Sequence, residues 1–294
     1  MPEARRPFGA RLRAAMDRRG QLCVGIDPHP ALLAGWGLND DAAGLERFSR
    51  TVLDAVQDNA AAVKPQVALF ERHGSAGLAV LERLLAACSD AQMLSIADAK
   101  RGDIGSTMAA YADAWLRDGS ALAADAVTLS PYLGFESLRP ALDLARDTGR
   151  GVFVLALTSN PEGASVQHAG GGEGRSVAAQ MVQAAAAENA GAGAESPGGP
   201  GGAAMGSVGL VVGATVGPGV LAGLGIDLAA SAAPLLTPGL GAQGATSTDL
   251  RRTFAGAWPN VLATSSRGIL KAGPEPRLLR EAAARTAEEL AAAG

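Results

Sequence analysis

Short apolar runs alternate along the chain with longer stretches in which apolar residues recur every three or four positions. The runs end near Asp27 (LCVGID), Lys64 (AAVKP), Asp98 (MLSIAD), Ser130 (AVTLS) and Ser159 (VFVLALTS), and three more span Val208–Ala214, Leu235–Pro238 and Val261–Ser265. Each has the continuous apolar character of a strand covered on both faces. Between them Leu45–Gln57, Gly77–Ala87, Thr107–Arg117 and Glu136–Asp147 carry helical periodicity, and Arg277–Ala292, rich in alanine and glutamate, closes the chain. Phe8, Leu12 and Met16 fall every four residues and predict an amphipathic helix packed on the domain. Eight strand–helix units predict a (β/α)8 TIM barrel, an α/β fold with an N-terminal helix. An open doubly wound sheet would carry a glycine-rich turn after its first strand, where this chain reads DPHPAL.

The rhythm breaks once. Residues 160–207 exceed an ordinary βα connection, and although Ser176–Asn189 suits a helix, the Gly/Ala/Pro-rich stretch Gly191–Gly206 offers nothing to bury. It reads as a flexible surface insertion between strands 5 and 6 (about 191–206), and no G-K-[ST] follows to make it a phosphate loop. No domain boundary is needed, so residues 1–294 read as one barrel domain.

Composition narrows the class. Of 294 residues 48 % are hydrophobic and 18 % charged, which suits a filled core. A net charge of −4 leaves no global basic surface for nucleic acid, and no window approaches a membrane span. Two cysteines, Cys23 and Cys88, make no disulfide framework and fit a reducing cytoplasm. The arginine-rich start lacks a secretory apolar core and contains Glu3 and Asp17, which a transit peptide would avoid. His29, His73 and His168 show no zinc-ligand spacing, and no metal site is expected.

In a barrel the strand C-termini carry the chemistry, which singles out Asp27, Lys64, Asp98, Lys100, Ser130 and Ser159. Of 25 basic residues only Lys64, Lys100 and Lys271 are lysines, and two of these stand at strand ends beside carboxylates. An amine can surrender a proton where a guanidinium effectively cannot, so a proton-donating site has a reason to keep lysine. In DAKRGD, Asp98 and Lys100 lie two apart and share one side of an extended segment, with Asp103 following in the loop. The competing reading is a solvated salt-bridge cluster. Two glycine-bearing loops, PGLGAQG after the seventh strand and SSRGI after the eighth, stand where barrels often bind phosphate. Backbone N–H groups near Gly241 and Gly268, with Gln243 and Arg267, would supply donors.

CVGIDPHP, VKPQVALFERHG, IADAKRGDIGSTMAAYA, SPYLGFESL, LALTSNPEG, PLLTPGLGAQG and SSRGI follow in the order and spacing of orotidine 5′-phosphate decarboxylases. The chain resembles the longer bacterial branch of that family over nearly its whole length apart from Gly191–Gly206. The resemblance implies a dimeric barrel with sites at the subunit interface, converting orotidine 5′-phosphate to uridine 5′-phosphate and CO2 without metal or organic cofactor. It implies Lys100 as proton donor at C6 and Asp98 facing the substrate carboxylate. It implies Asp103, with Ile104 and Thr107, entering the neighbouring subunit's site. Asp27 and Lys64 match ribose-binding and charge-network positions, Ser159 a pyrimidine contact, and Gln243 and Arg267, beside Gly268, phosphate grippers. Three rivals stay open: a metal-dependent phosphosugar decarboxylase with the same D-x-K-x-x-D pattern, a Schiff-base aldolase using Lys100, and a catalytically idle nucleotide-binding barrel.

Overall fold

A computed structural model describes residues 5–170, 175–192, 205–241 and 244–294. Eight parallel strands close a barrel in chain order: β1 (Leu22–Ile26), β2 (Ala62–Pro65), β3 (Leu94–Arg101), β4 (Ala126–Leu129), β5 (Gly151–Leu157), β6 (Val208–Val212), β7 (Leu235–Pro238) and β8 (Val261–Ser265). Closure comes from β8 pairing with β1, in the register Leu22↔Ala263 and Val24↔Ser265. All eight apolar runs are strands, and the expected helices appear as Ala42–Val56, Gly74–Asp90, Gly105–Leu116, Arg139–Asp147 and Pro276–Ala293. Short helices at Pro30–Gly35, Ala68–Glu71, Ala164–Gln167, Pro218–Gly223 and Ser247–Thr253 have too few turns to register as periodicity.

Alternation along the strands builds two cores. Outward residues such as Val24, Val63, Ala97, Val127 and Val154 pack beneath the helices. Inward residues Cys23, Ala62, Leu94, Ile96, Ala126, Phe153, Val211, Leu236 and Leu262 fill the barrel itself. The N-terminal helix Phe8–Arg19 lies across the N-terminal end of the strands and adds Phe8, Leu12, Ala15 and Met16 to that inner core. Phe8 stands edge-on to Phe153, with ring centroids 5.8 Å apart. Glycine makes the room, because a Cβ on Gly151 would stand 2.2 Å from the Phe8 ring and one on Gly209 2.4 Å from Phe153.

The long β5–β6 connection corrects the sequence reading at its edges. The helix Val177–Ala192 runs into the stretch taken as an insertion. At the far edge Met205 is buried in the inner core, and the Gly206 N–H donates to the Ala232 carbonyl (2.8 Å). Buried Asn189 anchors the helix, donating to the Val208 and Ser231 carbonyls (2.9 and 3.1 Å) and accepting from the Val208 N–H (3.1 Å). Residues 193–204, the centre of that insertion, lie outside the described residues. Among the described residues no helix is long and apolar enough to cross a membrane.

Candidate active site

The inward positions turn from apolar to charged at the C-terminal mouth. Lys64 on β2 follows inward Ala62, and Asp98 on β3 follows inward Leu94 and Ile96. Lys64 Nζ donates to Asp98 Oδ2 (2.7 Å) and Lys100 Nζ to Asp98 Oδ1 (2.5 Å). Thr128, the inward residue of β4, donates its hydroxyl to Asp98 Oδ1 (3.0 Å). One carboxylate therefore holds two ammonium groups, and the residues differ in access. The Lys64 and Asp98 side chains are 7 % and 11 % exposed, whereas that of Lys100 is 45 % exposed and faces the mouth.

The electrostatics follow from this packing. Burial alone would raise the Asp98 carboxyl, but Lys64 and then Lys100 outweigh it and hold its pKa at about 2. Burial works against the charge on Lys64, yet Asp98 and Asp27 outweigh it and push its pKa above the ordinary amine range. Both groups stay charged at neutral pH. Solvated surface pairs, the bland reading of DAKRGD, do not show this degree of burial.

Spacing alone puts Asp98–Lys100 on a regular extended segment, and the structure departs from that at Lys100. Lys100 adopts a left-handed conformation (φ 49°), and the β3–β4 register shifts between Ala97 and Arg101. A side chain costs energy in this region, so its neighbours must hold it. The Lys100 N–H donates to Thr128 Oγ1 (2.9 Å), and the Arg101 carbonyl accepts from the Ser130 N–H (2.7 Å). Arg101 itself pairs with Glu71, donates to the Ala99 carbonyl (3.0 Å) and lies over the rings of Tyr111 and Trp115 (5.7 and 5.9 Å). Sequence reasoning missed Thr128, Glu71 and Arg101. Thr128 passes for an ordinary β-branched strand residue, and the Glu71–Arg101 pair joins positions 30 apart.

The other candidates occupy the same mouth. Asp27 follows β1, and its Oδ1 is buried without a hydrogen-bond partner, as are Gln66 Oε1, Thr264 Oγ1 and Ser266 Oγ. A Cβ at Gly25 would stand 2.8 Å from Ser266 Cβ and 3.2 Å from both Asp27 carboxylate oxygens, so glycine lets the ends of β1 and β8 approach. Ser159 lines an open cleft with Thr158, Asn160, Gly213 and Pro238. Arg267, exposed, opens the short helix Arg267–Leu270 after β8, and Gly268 packs beside Ser265.

Asp103 does not join the Lys64–Asp98–Lys100 cluster; its Oδ1 accepts from the Ile104 N–H (2.8 Å), and Ile104 and Thr107 point to the exterior. The Gly241 N–H donates to the Ala245 carbonyl (2.9 Å). Gly239, Gly241 and Gly244 all have positive φ, which folds this loop back on itself. Gln243 lies outside the described residues.

A closed (β/α)8 barrel with buried, charge-paired lysine and aspartate at its strand C-termini is the build of a barrel enzyme. The model of the orotidine 5′-phosphate decarboxylase / HUMPS family matches residues 20–283, and the chain belongs to that family. It is 58 % identical over 284 residues to an orotidine 5′-phosphate decarboxylase of Streptomyces coelicolor, covering 97 % of each chain. It is 54 % identical over 286 residues to that of Salinispora arenicola, covering 97 % of this chain and 98 % of the other. Among solved structures, a Streptomyces avermitilis protein assigned to orotidine 5′-phosphate decarboxylase superposes with a TM-score of 0.91 at 58 % identity, over 99 % of this chain and 97 % of that one. The Leishmania donovani OMP decarboxylase superposes with a TM-score of 0.73 at 29 % identity, over 97 % of this chain and 98 % of that one.

Proposed function

We propose that this chain, a carboxy-lyase, decarboxylates orotidine 5′-phosphate to uridine 5′-phosphate and CO2 in pyrimidine biosynthesis, with Lys100 protonating C6. Residues 1–294 act as one catalytic unit in this reading. The observation that carries it is the carboxylate Asp98 buried between Lys64 and the accessible Lys100 at the barrel mouth. Loss of CO2 from C6 leaves an in-plane carbanion that the ring π system does not stabilise, so the stabilisation is electrostatic. A fixed ammonium beside C6 supplies it and then delivers the proton. Asp98, held ionised by its two lysines, faces the substrate carboxylate; their repulsion is relieved as CO2 leaves.

The remaining residues bind. Asp27, with its unpaired buried oxygen, accepts a ribose hydroxyl, and Ser159 contacts the pyrimidine. Arg267, beside Gly268, grips the phosphate as a bidentate fork, with Gln243 from the preceding loop. Binding energy at the phosphate, remote from the breaking bond, draws the loop over the site and excludes water. The enzyme works as a homodimer in which Asp103, Ile104 and Thr107 complete the neighbouring site. Ile104 is 61 % exposed, and Tyr132 and Leu133 on the adjoining loop are 80 % and 54 % exposed, apolar surface that a partner subunit would cover. No metal or organic cofactor takes part. The buried free thiols Cys23 and Cys88 suit a reducing cytoplasm.

The experiment follows the orotate absorbance of orotidine 5′-phosphate with wild type and Lys100→Ala, each with chelator present. Decay with wild type alone is expected. No decay and no binding of uridine 5′-phosphate by folded wild type would turn the assignment to phosphosugar chemistry, and binding of uridine 5′-phosphate without any decay would make the chain an idle nucleotide-binding barrel.

A further inference from the structure

The opposite end of the barrel holds a second concentration of charge. A cavity of about 380 Å3 opens there between the helix Phe8–Arg19, the end of the helix Gly74–Asp90 and the starts of β3 and β4. Five arginines line it, Arg5, Arg6, Arg11, Arg18 and Arg150, and among its described lining residues Asp125 is the one carboxylate.

Among the described residues, two carboxylates pair with these arginines. Asp125 takes Arg11 on Oδ1 and the Ser95 N–H and hydroxyl on Oδ2 (3.0 and 3.3 Å). Asp118 accepts Arg5 and Arg150 on the same oxygen, each at 2.9 Å. Arg150 is 8 % exposed; it donates from Nη1 to the Ala124 carbonyl (2.5 Å) and from Nη2 to Asp118, and its buried Nε–H has no acceptor among the described residues. Burial lowers the Arg150 pKa, Asp118 offsets part of this and Arg5 adds to it, so the group stays below its ordinary value. Among the described residues that line it, the cavity therefore carries more cation than anion. Guanidinium groups gathered around one cavity repel one another, and an anion held between them would relieve that repulsion.

We propose that this cavity is a second anion-binding site, separate from the barrel mouth, which takes a small phosphate-bearing polyanion of the pyrophosphate class. Guanidinium forks match phosphate oxygens in pairs, and arginines spread around a cavity larger than one ion suit two linked phosphates. The site does not depend on the decarboxylase reading, since none of its residues belongs to the mouth.

Inorganic pyrophosphate is titrated calorimetrically, in metal-free buffer, into the intact protein and three variants whose folding is checked by circular dichroism. Arg6→Ala/Arg18→Ala removes exposed charges from the cavity and leaves the Asp118 and Asp125 pairs in place. Arg267→Ala removes the proposed mouth gripper. Arg280→Ala/Arg285→Ala removes two exposed charges from the distant C-terminal helix. The expected result is binding by wild type, Arg267→Ala and the distal control alike, weakened about tenfold or more in Arg6→Ala/Arg18→Ala. Wild-type affinity in Arg6→Ala/Arg18→Ala, an equal loss in the distal control, a loss confined to Arg267→Ala, or no binding by wild type would each overturn the proposal.

Discussion

The two ends of this barrel are built on the same strands and filled in opposite ways. At the N-terminal end the inward positions are apolar and Phe8 from outside the barrel is edge-on to Phe153. At the C-terminal end the next inward positions on the same strands are Lys64, Asp98 and Thr128, tied together by hydrogen bonds. A strand that placed charge at its start would bury it under the plug, and one that placed leucine at its end would leave the mouth without chemistry. The barrel thus separates what holds it together from what it does. Lys100 marks the change, because there the backbone leaves regular strand geometry for a left-handed turn held by Thr128.

Substitutions that act at one end only would sharpen this contrast. The largest effect is expected at Lys100: Lys100→Ala lowers kcat by about 10^4-fold or more while the protein stays folded, since Lys100 is the accessible member of the cluster and Asp98 keeps Lys64. Next, at the other end, Phe8→Ala costs about 3–5 kcal/mol of stability, read from denaturant unfolding, because it empties the plug against Phe153.

Asp98→Asn acts on both quantities. It leaves Lys64 buried without its main counter-charge, for a loss of about 3–5 kcal/mol at neutral pH. The pH dependence has a fixed sign. The Asp98 pKa is depressed to about 2, so its contribution is fully present above the ordinary carboxylate range and fades as pH falls toward 2. The Lys64 pKa is raised, so its contribution is present below the ordinary amine range and fades only as pH rises past its elevated value. The stability gap between wild type and Asp98→Asn should therefore be flat from about pH 5 to 9 and narrow below about pH 4. A gap constant down to pH 2 would contradict the ion-pair account.

A smaller effect is expected from Gly151→Ala. Its methyl group would meet the Phe8 ring, costing about 1–3 kcal/mol with turnover per folded molecule unchanged. Arg267→Ala should lower kcat/KM, with the unfolding midpoint within about 0.5 kcal/mol of wild type because this arginine is exposed. Normal kcat/KM there would remove Arg267 from the phosphate site.

The strands and the lysine–aspartate cluster were legible in the sequence for one physical reason. Parallel strands covered on both faces read as unbroken apolar runs, so a lysine or aspartate ending such a run stands out. What stayed hidden depends on partners far along the chain or on backbone turns. Glu71 reaches Arg101 across 30 positions, and Leu22 finds Ala263 only when the barrel closes. Spacing put Asp98 and Lys100 on one side, and they do meet, but through a left-handed residue that no hydrophobic pattern encodes. Phe8, Leu12 and Met16 announced a buried helix face without saying that it enters the barrel.

The most direct test of the separation between the two ends measures turnover of orotidine 5′-phosphate and unfolding free energy on Lys100→Ala and Phe8→Ala side by side. The account predicts a crossed result: Lys100→Ala stays within about 1 kcal/mol of wild-type stability and does not turn over, whereas Phe8→Ala loses several kcal/mol and keeps its turnover per folded molecule. Wild-type turnover in Lys100→Ala, or loss of turnover in folded Phe8→Ala, would contradict it.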